Sequence, residues 1–326
     1  MLRLFANANY DFIGLRKIAY LITAAIIIPG WIMLVFTGLN YSIEFTGGTV
    51  VQVRMHQHVS AGDLRSALDR GGVKGAEIQT FGSDSDYTIR TRLEGAQENA
   101  ATEAAVQAAA DRVERALTAA FGANSWRQDG VEAIGPKVGG ELRQKALIAV
   151  LLSFLATLVY LAFRFEFRFG VAATIATAHD ILTTMAFIKY MNLEVSLVVV
   201  AAILTVVGYS LNDTIIIFDR VRENLRKYKR DHFADILNRS INETLPRSIL
   251  THGTTIATTL ALLVFAGEVI RPFAWVMAFG VFTGTFSSIY IASPILLYVE
   301  QRWPGREARG VKAQVAPAGH HSAAGV

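Results

Sequence analysis

An aspartate stands where an apolar segment should exclude it. In VVGYSLNDTIIIFDRVREN (206–224), Asn212 and Asp213 interrupt a hydrophobic run that resumes through Ile215, Ile216, Ile217 and Phe218 before ending in charge. An aspartate at the centre of a membrane helix costs at least about 2.5–3.5 kcal/mol, so it must face protein or water and find a partner. The chemistry open to such a group is to take up and release a proton, and to hold or release a cation as it does so. Two further clusters share this character. In LPRSILTHGTTIATTL (245–260), Arg247 precedes Thr251, Thr254, Thr255, Thr258 and Thr259, which form one polar stripe at helical spacing. His252 lies among them. His179 and Asp180 sit together in another apolar segment. As neighbours on a helix they point about 100° apart, so they are not expected to act as one dyad.

The elements that carry these groups follow from hydropathy. The 326 residues are 52% hydrophobic and 18% charged, the latter below the roughly 25% of ordinary soluble domains. Spanning a bilayer takes about 20 apolar residues, and six stretches qualify: 18–36, 146–163, 171–190, 195–218, 249–266 and 273–297. The first is read as a retained anchor rather than a cleaved signal, because its apolar core is long and no small-residue cleavage site follows. The net charge of +4 does not indicate nucleic acid, since the basic residues sit in short runs beside the spans. Arg3, Arg16 and Lys17, then Arg164, Arg168, the loop 220–247 and the tail all fall on one side after six crossings, which makes both termini cytoplasmic.

In that topology the fourth and fifth spans are antiparallel. Asp213 lies about 7–8 Å inside one helix end, at 1.5 Å per residue. Arg247 is placed at the start of the next helix and is expected to reach Asp213 along its aliphatic stem. The proton-handling set is therefore Asp213, Arg247, Asn212, Ser210, Thr251 and Thr255, with the threonines offering hydroxyls to a file of water. His179, Asp180 and His252 are secondary candidates. The competing reading of Asp213 is a packing hydrogen bond, and that of the threonines is helix-to-helix adhesion. Asp219, Arg220 and Glu223 read as a solvated salt-bridge network, and Gly280, Gly284 and Ser288 as a close helix contact.

Between the first two spans lies a segment with soluble character. GGTVVQVRM alternates like a strand, SAGDLRSALDR carries an N-cap at Ser60 with Leu64, Ala67 and Leu68 on one face, and AEIQTF and DYTIRTRL flank a GSDSD turn. An alanine-rich helix over 96–121 and a last strand complete a βαββαβ order that suits a ferredoxin-like fold. The expected organisation is a cytoplasmic N-terminus (1–17), a first transmembrane helix (18–38), a periplasmic α+β domain (39–145), a five-helix membrane region (146–300) and a disordered cytoplasmic tail (301–326). His320 and His321 belong to that tail. With no cysteine, no HExxH pair and no GxxxxGK[ST] loop, the chain carries no nucleophile, metal or nucleotide signature. No enzymatic activity and no cofactor other than the proton as coupling ion is expected.

GLNYSIEFTGGT (38–49), IGPKVGGEL (134–142), GYSLNDTIIIFDRVREN (208–224), NETLPRSILTHGTTIATTLALLVF (242–265) and EVIRPFAWVMAFGVFTGTFSSIYIASPILL (268–297) together resemble the SecF family of bacterial protein-export subunits. The resemblance covers nearly the whole chain. It implies six spans forming one half of a resistance-nodulation-division type fold in the inner membrane. It implies SecD as partner, contact with the SecYEG channel and translocating preproteins, and YajC and YidC as further candidates. It also implies that the positions matching Asp213 and Arg247 support proton-driven movement. Ser248 departs from the threonine of the family pattern and is expected to touch no proposed role. The rival readings are an intramembrane aspartyl protease, which needs a second opposed aspartate and a GxGD flank, a stand-alone proton-coupled exporter of small molecules, and a passive scaffold.

Overall fold

The computed structural model describes residues 8–81, 83–91, 103–267 and 270–303. The tail beyond 303, with His320 and His321, and residues 96–102 of the alanine-rich stretch lie outside them. Six helical segments are long and apolar enough to cross a membrane. They are α1 (Arg16–Thr37), α5 (Pro136–Arg164), α6 (Phe167–Tyr190), α7 (Leu197–Lys227), α8 (Phe233–Phe265), and α9 (Arg271–Ser287) continued through a π-turn (Ser288–Ala292) into α10 (Ser293–Arg302). This is a multi-pass membrane architecture. The centre of the bundle is α6, α7 and the last segment, while α1, α5 and α8 have little of their surface covered.

Two helices start well before their hydrophobic runs. α5 begins ten residues ahead of the expected 146, where Gly139 lies so close to the backbone of Phe45 and Gly47 that a Cβ would meet them at 2.9–3.0 Å. α8 begins sixteen residues ahead of 249 and runs on through Pro246. Its polar first half is helical because one face buries Ile236, Leu237 and Ile241. Arg247 is therefore a mid-helix residue and not the start of a helix.

The preceding chain is tied to that extended half. Asn242 Oδ1 accepts from the Tyr10 N–H at 2.9 Å, and Asn238 Oδ1 accepts from Ile13 N–H at 3.0 Å. The Asn238 amide in turn donates to Asp11 Oδ1 at 2.8 Å. Two asparagines one helical turn apart thus hold residues 10–13 against α8.

The segment between α1 and α5 holds α2 (Ile43–Thr46), β1 (Gly48–Met55), α3 (Ala61–Arg70), β2 (Glu77–Phe81), β3 (Ser83–Thr91), α4 (Glu103–Phe121) and β4 (Trp126–Ile134). The sheet order is β2-β3-β1-β4, with every adjacent pair antiparallel. α3 and α4 pack on one face, burying Leu64, Leu68, Val113 and Leu117 against Val51, Val53, Tyr87 and Ile89. The Ser60 hydroxyl accepts from Asp63 N–H at 3.1 Å and caps α3 as its position suggests. β3 starts at Ser83, so the strand takes in most of the expected GSDSD turn. The domain's stem is sewn to the loop before α7: Val195 N–H donates to Asn40 O at 2.7 Å and Ser42 N–H to Val195 O at 3.0 Å.

Candidate functional site

Asp213 projects from α7 toward α8 and is 3% exposed. Its Oδ1 accepts the Ser248 hydroxyl at 2.6 Å, and its Oδ2 is buried without a hydrogen-bond partner. The expected Asp213–Arg247 ion pair is not formed among the described residues. Arg247 and Ser248 are neighbours on a continuous helix, so turning the serine toward α7 turns the arginine outward, where it is exposed. Ser248 is thus the hydrogen-bond partner of Asp213 and not the bystander the sequence suggests. Arg247 and His252 remain within electrostatic reach of Asp213.

His252 is buried one turn beyond Ser248, packs edge-on to Tyr209 and leaves its Nδ1 without a partner. From Thr244 onward the buried polar residues of α8 are Thr244, Ser248, His252 and Thr259, at spacings of four and seven. That spacing is visible in the sequence but is overshadowed by the longer threonine stripe. Of that stripe, Thr251, Thr254 and Thr258 are exposed, Thr255 is half-buried and Thr259 is buried. The hydroxyls of Thr254, Thr255 and Thr258 donate to carbonyls of their own helix at 2.9–3.0 Å, which leaves them lone pairs but no free proton for a water file. The Tyr209 hydroxyl reaches over to Thr255 Oγ1 at 2.7 Å. Asn212 is exposed and does not join Asp213.

Ser210 does not join Asp213 either. Its hydroxyl donates to Asp180 Oδ2, which also accepts Ser287 Oγ at 2.8 Å. Asp180 Oδ1 takes the His179 Nδ1 at 3.0 Å, so the two neighbours do form a dyad. A 100° offset between Cα–Cβ directions does not separate two short side chains whose rotamers fold toward each other. The helices can approach this closely because α9 carries glycines: a Cβ on Gly280 would sit 2.3 Å from Val206 Cγ2, and one on Gly284 2.9 Å from Ser210 Cβ. The close contact read at Gly280 and Gly284 is thus present, and Ser288 adds a 2.8 Å hydrogen bond to Thr214. Just beyond, the chain relaxes into the π-turn, with Ser293 Oγ donating to Ser288 O.

At the same end of the bundle as the first residues of α6, Arg168 and Glu300 form a buried ion pair that links α6 to α10 across 132 residues. In place of one network, Asp219, Arg220 and Glu223 divide between two ion-pair groups: Arg164 bonds Asp219 at 2.9 Å, and Arg220 bonds Glu223 and Glu243 at 2.6 Å each.

Residues 113–302 match the family model described as protein export membrane protein SecD/SecF, C-terminal, and residues 32–57 match the SecD/SecF GG motif. The chain belongs to the SecD/SecF family. It is 55% identical over 319 residues to the protein translocase subunit SecF of Gemmatimonas aurantiaca, with 96% of this chain and 95% of the relative covered. The SecF of Magnetococcus marinus is 40% identical over 308 residues, covering 94% and 96%. Among solved structures, SecDF of Thermus thermophilus, a translocon-associated membrane protein, is similar with a TM-score of 0.73 and 34% identity. That similarity covers 90% of this chain and 39% of the SecDF chain. The GG motif of the SecD/SecF family has a physical reason here. Gly47 has φ +79°, and a Cβ on Gly48 would lie 2.6 Å from Thr91 O, so the turn into β1 closes only without side chains.

Proposed function

We propose that this chain is an accessory subunit of the Sec protein-export machinery that works with a SecD chain to couple the proton gradient to polypeptide translocation. The observation that carries this reading is Asp213. A family member has a buried carboxylate between two membrane helices, with one oxygen held by Ser248 and the other unpartnered. Such a group is arranged to exist with or without its proton. When ionised it attracts Arg247, which has the length to swing in from the exposed face of α8. When protonated it is satisfied by Ser248 and releases the arginine, and α7 and α8 are free to shift. One charge crossing about 100 mV supplies about 2.3 kcal/mol, enough to change a two-state ratio roughly fiftyfold.

The partnership with SecD is supported by length and surface. The chain corresponds to about two fifths of SecDF. Asn212, Arg247, Thr251, Thr254 and Thr258 are polar groups exposed on membrane helices, which lipid would not solvate. The placement of both termini in the cytoplasm rests on the distribution of basic residues, and contacts with SecYEG, YajC or YidC rest on the family resemblance. The βαββαβ order and the strand order β2-β3-β1-β4 support a ferredoxin-like outer domain on the periplasmic side. Its stem at Asn40–Ser42 would pass its movement to α7.

Affinity isolation from native membranes tests the partnership: a stoichiometric SecD chain is expected, and a fully active isolated monomer would contradict it. In inverted membrane vesicles, collapse of the proton gradient should lower export to the level of vesicles lacking this chain. Equal stimulation with and without the gradient would leave only a scaffold.

A further inference from the structure

We infer that His179 and Asp180 form a second proton-carrying station of the bundle, separate from Asp213 and reached through the cavity between α1, α6 and α10. Asp180 is 1% exposed and sealed among three helices, with hydroxyls from α7 and α9 on Oδ2 and His179 on Oδ1. His179 connects this carboxylate to open space. It borders a cavity of about 520 Å³ with Arg16 and Tyr20 of α1 and Tyr298 and Gln301 of α10. Its Nε2 has only a 3.5 Å contact with Thr183 Oγ1, whose own proton goes to His179 O at 2.7 Å. The outer nitrogen of the ring is thus left for a partner in the cavity, while the inner one is committed to Asp180.

The charged and titratable groups around the pair are few. Arg16 and Tyr20 face it from α1 and Tyr298 from α10, while α7 and α9 contribute the hydroxyls Ser210 and Ser287. A proton arriving from cavity water on Nε2 gives an imidazolium. Transfer of the Nδ1 proton to Asp180 Oδ1 then yields a neutral ring and a neutral carboxylic acid, and the reverse steps return the proton to the cavity. The site gains one positive charge on loading and loses it on release. Loading replaces two hydroxyl-to-carboxylate bonds by hydroxyl-to-acid bonds, which are weaker. The grip of Asp180 on α7 and α9 therefore varies with its proton, beside the π-turn where the last span is least regular.

Arg16 and Gln301 mark the cavity mouth at the end of the bundle assigned to the cytoplasm, so the station exchanges with that side. That sidedness rests on the proposed function, whereas the titration does not. The test uses the full chain with ¹⁵N-labelled histidine in liposomes, with the His179 signal assigned by difference from His179→Gln. Reversible change of that signal is expected as the pH on the Arg16 side is stepped down through a range and back. The chain has no cysteine, so Gln301→Cys gives one attachment point for a bulky, impermeant thiol reagent, and the adduct should abolish the response. A His179 signal that stays constant over the range, or a response that survives complete labelling at the cavity mouth, overturns the inference. Neither result depends on whether Asp213 drives export, so the two proposals fail separately.

Discussion

Replacing Gly280 by alanine tests the α7–α9 packing that brings Ser210 and Ser287 together on Asp180. A Cβ at this position would lie 2.3 and 2.7 Å from the two γ carbons of Val206 and 3.0 Å from its Cβ. Carbon atoms pack at about 3.5–4.0 Å, so the shortfall is at least 1.2 Å. Val206 is 2% exposed, and a β-branched side chain on a helix has essentially one rotamer, so it cannot turn away. α7 and α9 must separate, which costs about 1–3 kcal/mol. At roughly 2–4 °C for each kcal/mol, the unfolding midpoint should fall by about 2–12 °C. The decisive version is a double-mutant cycle with Val206→Ala, which removes both γ carbons and leaves only the 3.0 Å contact. The double variant should be more stable than the sum of the singles by about 1 kcal/mol or more. Additivity to within about 0.5 kcal/mol would show that the two helices do not meet at this pair, and the reasoning would be refuted.

Two further outcomes concern the ends of the structure. Asp11 is held below the ordinary 3.8 by the Gly14 N–H and then by the Asn238 amide, so its contribution to anchoring residues 10–14 is complete above that value and is lost as pH falls through its own lower one. Amide exchange at Gly14 should stay protected down to about pH 4, and loss of protection near pH 5 would contradict the assignment. Ser60→Ala should destabilise the outer domain by about 0.5–2 kcal/mol through loss of the α3 cap, whereas Ser60→Asn, which keeps an acceptor for the Asp63 N–H and a donor for its carboxylate, should be nearly neutral. Equal exchange protection of α3 in wild type and Ser60→Ala would remove the cap from the account.

The spans and the order of elements were legible because hydropathy and alternation are local signals. Helix starts were not, because the first halves of α5 and α8 are polar and owe their helicity to contacts far away in the chain. Asp213 was legible as an anomaly, but its partner was not. Ser248 and Arg247 are adjacent, and only the continuous path through Pro246 decides which one faces α7. The His179–Asp180 dyad was misjudged because backbone direction was taken for side-chain reach. Ser287 and the π-turn were not read from the sequence, since one extra residue re-phases the helix by about 100° and the segment is buried on both sides of the turn, which masks the change of face. The Arg168–Glu300 pair joins residues 132 positions apart at one end of the bundle, and only the fold reveals that they meet.

The central claim is that the Asp213 proton couples the gradient to export. Asparagine keeps the side chain's shape and can still accept from Ser248, so Asp213→Asn should fold, assemble and bind its partner as the wild type does. Export of a Sec substrate into inverted vesicles is then measured with the proton gradient intact and collapsed. The account predicts that Asp213→Asn exports at the collapsed-gradient rate under both conditions. Wild-type stimulation by the gradient in Asp213→Asn would contradict it and leave Asp213 a packing residue.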